Sequence, residues 1–167
     1  MSITIEKARP EDAEKLLAYL KQIGGETDNL SFGKEGLPFS VEAEAEYIAG
    51  MTDSHNDVML LAKENGEIVG DASLHRLPRR MNHRGELGIS VVKSHWNRGI
   101  GSRLLSEILA FARENRFEII DLEVRSNNAA AIHLYEKHGF QRIFTYKGFM
   151  KINGESVDAE YMCLLLN

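Results

Sequence analysis

Apolar and polar positions along the chain fall into short segments of two different periods. Ile3 and Ile5 alternate with polar neighbours as in a half-buried strand, and Pro10 then sets a helix start with Glu11 and Asp12 in its first turn. Ala13, Leu16, Leu17, Leu20 and Ile23 recur at helical spacing, and Gly24-Gly25 predicts the stop. Glu26 to Phe39, with Gly33, Gly36 and Pro38, reads as a loop. Ser40 then caps a second helix carrying Val41, Ala45, Ile48 and Met51, polar enough to be a surface element. Val58 to Glu64 and Glu67 to His75 flank Asn65-Gly66, a pair suited to the positive φ of a type I′ turn, and predict an antiparallel hairpin. A basic loop follows, with Arg76, Arg79, Arg80, His83 and Arg84.

Glu86 to Lys93 reads as a strand around the apolar run Leu87 to Val92. From Ile100 onward Leu104, Leu105, Ile108, Leu109 and Ala112 trace one face of a helix of about four turns. Phe117 to Val124 is a further strand, and Asn127 or Asn128 caps a helix through Ala131, Ile132 and Tyr135 that Gly139 ends. Phe140 to Tyr146 and Asp158 to Leu166 are the last strands, around a turn at Asn153-Gly154. The order β α α β β β α β α β β gives a mixed α/β (α+β) class with an antiparallel front and a βαβ centre. With no repeat and no Pro-, Gly- or Ser-rich linker, one domain over residues 1–167 is expected.

Composition narrows the function classes. An apolar share of 43% against 27% charged residues can bury a core. A net charge of −5 has the wrong sign for coating nucleic acid or an anionic membrane, so neither partner is expected and any anion site must be local. Cys163 is the single cysteine; it has no disulfide partner and no zinc-ligand neighbours, which fits a reducing, cytoplasmic setting without a metal. Its place in the apolar run Tyr161 to Leu166 predicts a packed thiol without a covalent role. Met1 to Arg9 carries Glu6 and no apolar leader core, and nowhere do ~18 apolar residues run uninterrupted.

The chemistry concentrates at Arg98-Gly99-Ile100-Gly101-Ser102, between a strand and a helix. There the first N–H groups of the helix are unpaired and an anion can approach without Cβ interference. A nucleoside-triphosphate loop is excluded, because Ser102 follows Gly101 and not a lysine. A dinucleotide fingerprint also fits poorly. Asp121 and Glu123 lie where a ribose-binding acid could sit, but Leu104 stands where the third glycine belongs and Lys93 to Arg98 is too long for the tight turn.

Three stretches carry a resemblance: Glu86-Leu-Gly-Ile-Ser-Val-Val92, Trp96-Asn-Arg-Gly-Ile-Gly-Ser-Arg-Leu-Leu105, and Asn128-Ala-Ala-Ala-Ile-His-Leu-Tyr-Glu-Lys-His-Gly-Phe140. Together they resemble the GNAT superfamily of N-acetyltransferases. The resemblance implies the acyl-CoA N-acyltransferase fold, a mixed, mostly antiparallel sheet of about seven strands splayed at a central parallel pair and flanked by about four helices. It implies acetyl-CoA as co-substrate and a primary amine as acceptor, either a small molecule, a polyamine-like compound or a protein amine, attacked directly in a ternary complex. A homodimer is compatible with it. A non-catalytic acyl-CoA sensor of the same fold is the alternative.

Residue by residue, the resemblance places pantetheine against the strand end Val91, Val92 and Lys93. The pyrophosphate falls on the N–H groups of Arg98, Gly99, Ile100, Gly101, Ser102 and Arg103, with the Arg98 and Arg103 side chains adding charge. Trp96 departs from the family pattern Gln/Arg-x-x-Gly-x-Gly/Ala at its first position. Asn128 and Tyr135, two helical turns apart on one face, are directed at the sulfur end, and Asn128 also serves as a cap. Tyr135 corresponds to the acid that protonates the leaving thiolate. An alkyl ammonium with a pKa near ~10.4 must lose a proton first. Glu86, raised by burial, is the candidate base, with a water relay as the other route and a simple pair with Arg84 as the bland reading. His75 and His83 read as structural or surface histidines, and His133 and His138 face away from the tyrosine. The Arg76 to Arg84 loop reads as solvated, or as a contact for the terminal phosphate or an acidic substrate. Phe149 to Met162 resembles the C-terminal hairpin of polyamine- and protein-directed members, and acceptor choice rests with that hairpin and with the loops Gly25 to Phe39 and Leu77 to Arg84.

Overall fold

In the computed structural model, which describes residues 2–166, the N-terminal alternation forms β1 (Thr4–Lys7). A single 3-10 turn at Pro10–Asp12 leads into α1 (Ala13–Glu26), whose buried stripe is Ala13, Leu16, Tyr19, Leu20 and Ile23. The helix does not stop at Gly24-Gly25. It continues to Glu26 and ends where Thr27 turns extended, with φ −153°. Gly24 serves a close approach instead: a Cβ there would sit 1.9 Å from the Gly33 carbonyl oxygen of the following loop. Ser40 caps α2 (Val41–Ala49) through its side chain, which accepts from the Ala43 N–H at 3.1 Å.

The hairpin forms as the Asn65-Gly66 pair predicts, with β2 (Asp57–Glu64) and β3 (Glu67–Arg76) antiparallel and φ of +53° and +78° at the two turn residues. Strand β4 (Arg84–Val91) starts two residues before Glu86 and stops before Lys93, which opens a 3-10 turn. After α3 (Ile100–Glu114), Phe117 is held in the helix exit by its N–H bond to the Ala112 carbonyl, so β5 (Ile119–Arg125) begins beyond it. The helix α4 (Ala129–Lys137) leads to β6 (Gln141–Ile152) and β7 (Glu155–Leu165). These two run to the Asn153-Gly154 turn and are longer than the apolar pattern shows, because most of β6 is exposed on both faces.

All seven strands join one sheet in the order β1-β2-β3-β4-β5-β7-β6. Only β4 and β5 are parallel, and their pairing covers just Arg84↔Ile119, Gly85↔Ile120 and Glu86↔Asp121. Past Glu86 the two strands diverge and leave a gap in the middle of the sheet. The face against α3 is apolar, with Leu104, Leu105, Ile108 and Ala112 buried beside Ala72, Leu74, Ile120, Leu122 and Met162. The opposite face carries polar rows that follow from register: Asp57, His75, Glu86, Asp121, Cys163 and Gln141 lie side by side across the sheet. The next row has Ser73 and Gly88 on one side of the gap and Glu123, Tyr161 and Phe144 on the other. The third has Asp71 and Ser90 facing Arg125, Ala159 and Tyr146.

Candidate active site

The gap has a backbone edge. Val92 donates to the Val69 carbonyl at 2.9 Å and so faces β3; by the two-residue alternation of a strand, Ile89 and Val91 turn their N–H and C=O groups to the gap. Lys93 is not part of that edge, since its N–H donates to Glu26 Oε2 at the end of α1, at 2.8 Å. Of the expected trio Val91, Val92 and Lys93, only Val91 lines the opening, joined by Ile89. The Val91 carbonyl accepts the indole N–H of Trp96 at 2.8 Å. A side chain that departs from the family pattern thus sits on the strand end.

Beside the edge, α3 begins at Gly99, which holds φ +77°, a left-handed conformation that costs any residue with a Cβ. The space over Gly99 is open, with no atom within 4 Å of where a Cβ would stand. No side chain caps the helix, and its first internal bond runs from the Arg103 N–H to the Gly99 carbonyl. The N–H groups of Ile100, Gly101 and Ser102 therefore present an uncapped positive end, as an anion cradle requires. α4 lies alongside: a Cβ on Gly101 would come within 3.3 Å of Leu134, and Ser102 Oγ stands 3.4 Å from His138 Nε2. Arg98 is engaged elsewhere, donating to Glu64 at 2.9 Å. The bonds from Arg98 and then His95 hold the Glu64 carboxyl at a pKa of about 2. Arg103 is exposed and makes no ion pair among the described residues.

Tyr135 occupies the face of α4 that packs inward, its ring tilted against Phe140 at 5.6 Å. Only 7% of the residue is exposed, and burial raises its pKa to about 12. A buried tyrosine normally hydrogen-bonds its hydroxyl. Here it has no such bond among the described residues, and it is not sealed off either, since Ser126 Oγ is the enclosed side-chain polar atom without a partner. The hydroxyl is thus a donor without a protein partner among the described residues and is not fully enclosed. Asn128 caps α4, its side chain accepting from Ala131 at 3.2 Å.

Glu86 stands in the gap's first row, but it is exposed, so the burial expected to raise it is absent. Nor does it pair with Arg84. That guanidinium donates to both carboxylate oxygens of Asp121, at 2.6 and 2.7 Å. Burial pushes Asp121 up, but bonds from Arg84, Cys163 and Tyr161 outweigh it and keep the carboxyl below its usual range. Cys163 is therefore a hydrogen-bond donor to Asp121 at 3.0 Å on the polar face, not an apolar filler; burial and that bond raise its pKa to about 11 and keep it a thiol.

Three features of this face depend on register and packing. Glu123, one row past Glu86, has its carboxyl raised by partial burial and then by the charges of Glu86 and Asp121. His75 is held between Asp57 Oδ1 at 3.1 Å and the Tyr47 hydroxyl at 3.2 Å, next to Glu86 in register. Tyr19, Ser90 and Asp71 form a chain of hydrogen bonds between α1, β4 and β3. Asp121, Glu123 and Arg125 alternate along β5, but what they meet is set by sheet order. Two surface hollows lie elsewhere, along the β1–β2 edge near Lys7, Arg9, Met51 and Asp53. Among the described residues no cluster of His, Cys, Asp and Glu has the geometry to hold a metal ion, and no helix is long and apolar enough to cross a membrane.

Residues 26–140 match the Acetyltransferase (GNAT) family. The chain belongs to that family. It is 39% identical over 94 residues to the N-alpha-acetyltransferase RimI of Mycobacterium tuberculosis, an overlap covering 56% of this chain and 58% of that protein. It is 38% identical over 107 residues to the L-amino acid N-acetyltransferase AaaT of Escherichia coli, covering 62% and 65%. The chain thus spans less than two thirds of the length of these two relatives. An acetyltransferase of the GNAT family from Streptococcus pneumoniae superposes with a TM-score of 0.95 at 32% identity, over 99% of this chain and all of that one. A Salmonella typhimurium structure described with its cofactor acetyl-CoA shares the fold, with a TM-score of 0.87 at 21% identity over 100% and 95% of the two chains. The mostly antiparallel sheet with one splayed parallel pair is the GNAT architecture expected from the sequence.

Proposed function

We propose that this GNAT protein is an N-acetyltransferase that moves an acetyl group from acetyl-CoA to a primary amine by direct attack in a ternary complex. The observation that carries the reading is Tyr135: a buried ring with a protonated hydroxyl that has no partner among the described residues and is not fully enclosed, on a helix packed beside an uncapped helix start. The names of the relatives, an N-alpha-acetyltransferase and an L-amino acid N-acetyltransferase, support an amine acceptor.

Acetyl-CoA supplies the activated thioester. Its pyrophosphate fits the N–H groups of Ile100, Gly101 and Ser102, where the open space over Gly99 admits an anion, with Arg103 as the free cation nearby. Its pantetheine amides fit the edge of Ile89 and Val91, and Asn128 opens the helix that bears Tyr135. On the polar face, Glu86 and Glu123 flank the gap where the amine enters, with Gly88 as its floor; a Cβ on Gly88 would meet only Ser73 Oγ, at 3.6 Å. The ammonium proton passes to Glu86, directly or through water, and the neutral amine attacks the carbonyl. Tyr135, kept protonated by its raised pKa, gives its proton to the departing thiolate as the C–S bond breaks, and the second proton of the attacking nitrogen, lost as the amide forms, returns through water to Tyr135.

The Trp96 indole on the Val91 carbonyl favours one second reading, an acyl-CoA sensor whose strand edge is closed to productive binding. Calorimetry with acetyl-CoA on the wild type and on Gly101→Glu tests the cradle. Micromolar binding that the added carboxylate abolishes is the expected result; no binding by the wild type would sink the acyl-CoA reading altogether. Turnover of an amine then separates enzyme from sensor.

A further inference from the structure

The outer strand β6 carries its large apolar residues in an unusual place. Phe144 is 48% exposed, Tyr146 47% and Phe149 36%. They are not scattered. Phe144 stacks on Tyr161 with centroids 5.0 Å apart and planes 17° from parallel. Tyr146 lies 5.9 Å from Phe144 and 5.1 Å from Phe149, so the four rings form a continuous wall. Contiguous exposed apolar surface of this kind marks a binding area more often than a packing accident.

Register decides what the wall adjoins. Glu123 pairs with Tyr161, and Tyr161 with Phe144, so carboxylate and rings share one row and one face of the sheet. Of the cations on these strands, Arg84 is committed to Asp121 and Lys147 to Asp158, while Arg125, one row beyond Glu123, donates to the Asp28 carbonyl at 3.5 Å. Glu86 and Glu123 lie on this face without an ion pair among the described residues, Glu123 in the same row as Tyr161 and Phe144. Uncommitted negative charge beside aromatic faces favours an organic cation with a flat apolar group: the carboxylates attract the ammonium, and the rings offer stacking and cation–π contact. Neighbouring strands lie ~4.8 Å apart, so a nitrogen beside Glu123 and a ring over Tyr161 or Phe144 are separated by about one to two strand spacings. A short alkyl spacer spans that interval.

Building on the acetyltransferase reading, we infer that Tyr161, Phe144 and Tyr146 form a subsite for the tail of the acceptor, and that the acceptor class is a small arylalkylamine. Arg125, whose guanidinium donates to the Asp28 carbonyl of the α1–α2 loop at 3.5 Å, is the cation in the row next to Glu123 and Tyr161.

The test compares 2-phenylethylamine with n-propylamine at saturating acetyl-CoA, in the wild type, Phe144→Ala and Tyr146→Ala. The wild type should favour the aryl amine about tenfold in kcat/KM, through a lower KM, and the Phe144→Ala ratio should fall by about the same factor. Both replaced residues lie on an exposed outer strand, and circular dichroism checks that the variants remain folded. If n-propylamine is acetylated but the aryl preference is absent, or is the same in all three proteins, the subsite is refuted and the transfer reading stands. If neither amine reacts and calorimetry shows no acetyl-CoA binding, the transfer reading itself fails. A concentration-dependent dimer by sedimentation that the ring variants dissolve, with the amine ratio unmoved, would assign the wall to a second copy of the chain and overturn the inference.

Discussion

The Tyr135 hydroxyl shows how much one polar atom can be asked to do without contributing to stability. The ring is part of the core, but the hydroxyl makes no hydrogen bond among the described residues, so removing the oxygen leaves no partner stranded. Tyr135→Phe should therefore unfold within about 1 kcal/mol of the wild type while kcat falls about 10²- to 10³-fold with little change in KM. Equal kcat in the two proteins would remove the acid role; a large loss of stability would mean that the hydroxyl is structural. This residue was legible in the sequence because its spacing to Gly139 and Phe140 is set within one helix and its exit. Glu86 was legible as a residue and misread as an environment. Its burial depends on what covers β4, and Arg84, its expected partner two positions away, turns instead to Asp121 on the neighbouring strand.

At the scale of elements, α1 illustrates a conflict between local preference and packing. Alanine is a better helix residue than glycine by about 1 kcal/mol in a helix interior. Gly24→Ala should nonetheless destabilise the protein, by roughly 1–3 kcal/mol, because the new Cβ would lie 1.9 Å from the Gly33 carbonyl and the 27–39 loop would have to move. Urea denaturation measures it directly, and a gain in stability would show that the loop yields freely. The same contact explains why Gly24-Gly25 reads as a stop and is not one: glycine at a helix end and glycine under a crossing loop look alike in one dimension. Helical periodicity, by contrast, placed the buried stripe of α3 correctly, since Leu104, Leu105, Ile108 and Ala112 must all face one way whatever they meet. The ends of β6 and β7 escaped notice because an exposed outer hairpin carries no alternation.

For the molecule as a whole, the chain Tyr19, Ser90 and Asp71 ties α1 to the two strands behind the gap. Desolvation raises the Asp71 pKa to about 6, above its unfolded value near ~3.9. A carboxyl raised on folding penalises the native state where it is charged. The penalty is full above pH ~6, shrinks as the pH falls through 6, and vanishes below ~4. Asp71→Asn keeps an acceptor for Ser90 and removes the charge, so it should stabilise the protein by about 1–3 kcal/mol at pH 8 and by nothing at pH 4. Thermal melts at the two pH values check this, and an equal gain at both would assign the effect to packing.

On the same scale, the amino-acid order alone determined the elements, their sequence along the chain and the glycine-led start of α3, because each depends on residues within a few positions of one another. It also placed Tyr135, by a motif contained in one helix and its exit. The tertiary structure decided everything that depends on which strands are neighbours. The gap opens because β4 and β5 pair over only three positions. Trp96 lies on Val91 because the chain folds back after the strand ends. Glu86, Glu123, Tyr161 and Phe144 share a face because β7 inserts between β5 and β6, a non-sequential order that no local pattern encodes. Side-chain alternation fixes which residues of a strand point together; only sheet order and register fix what they meet.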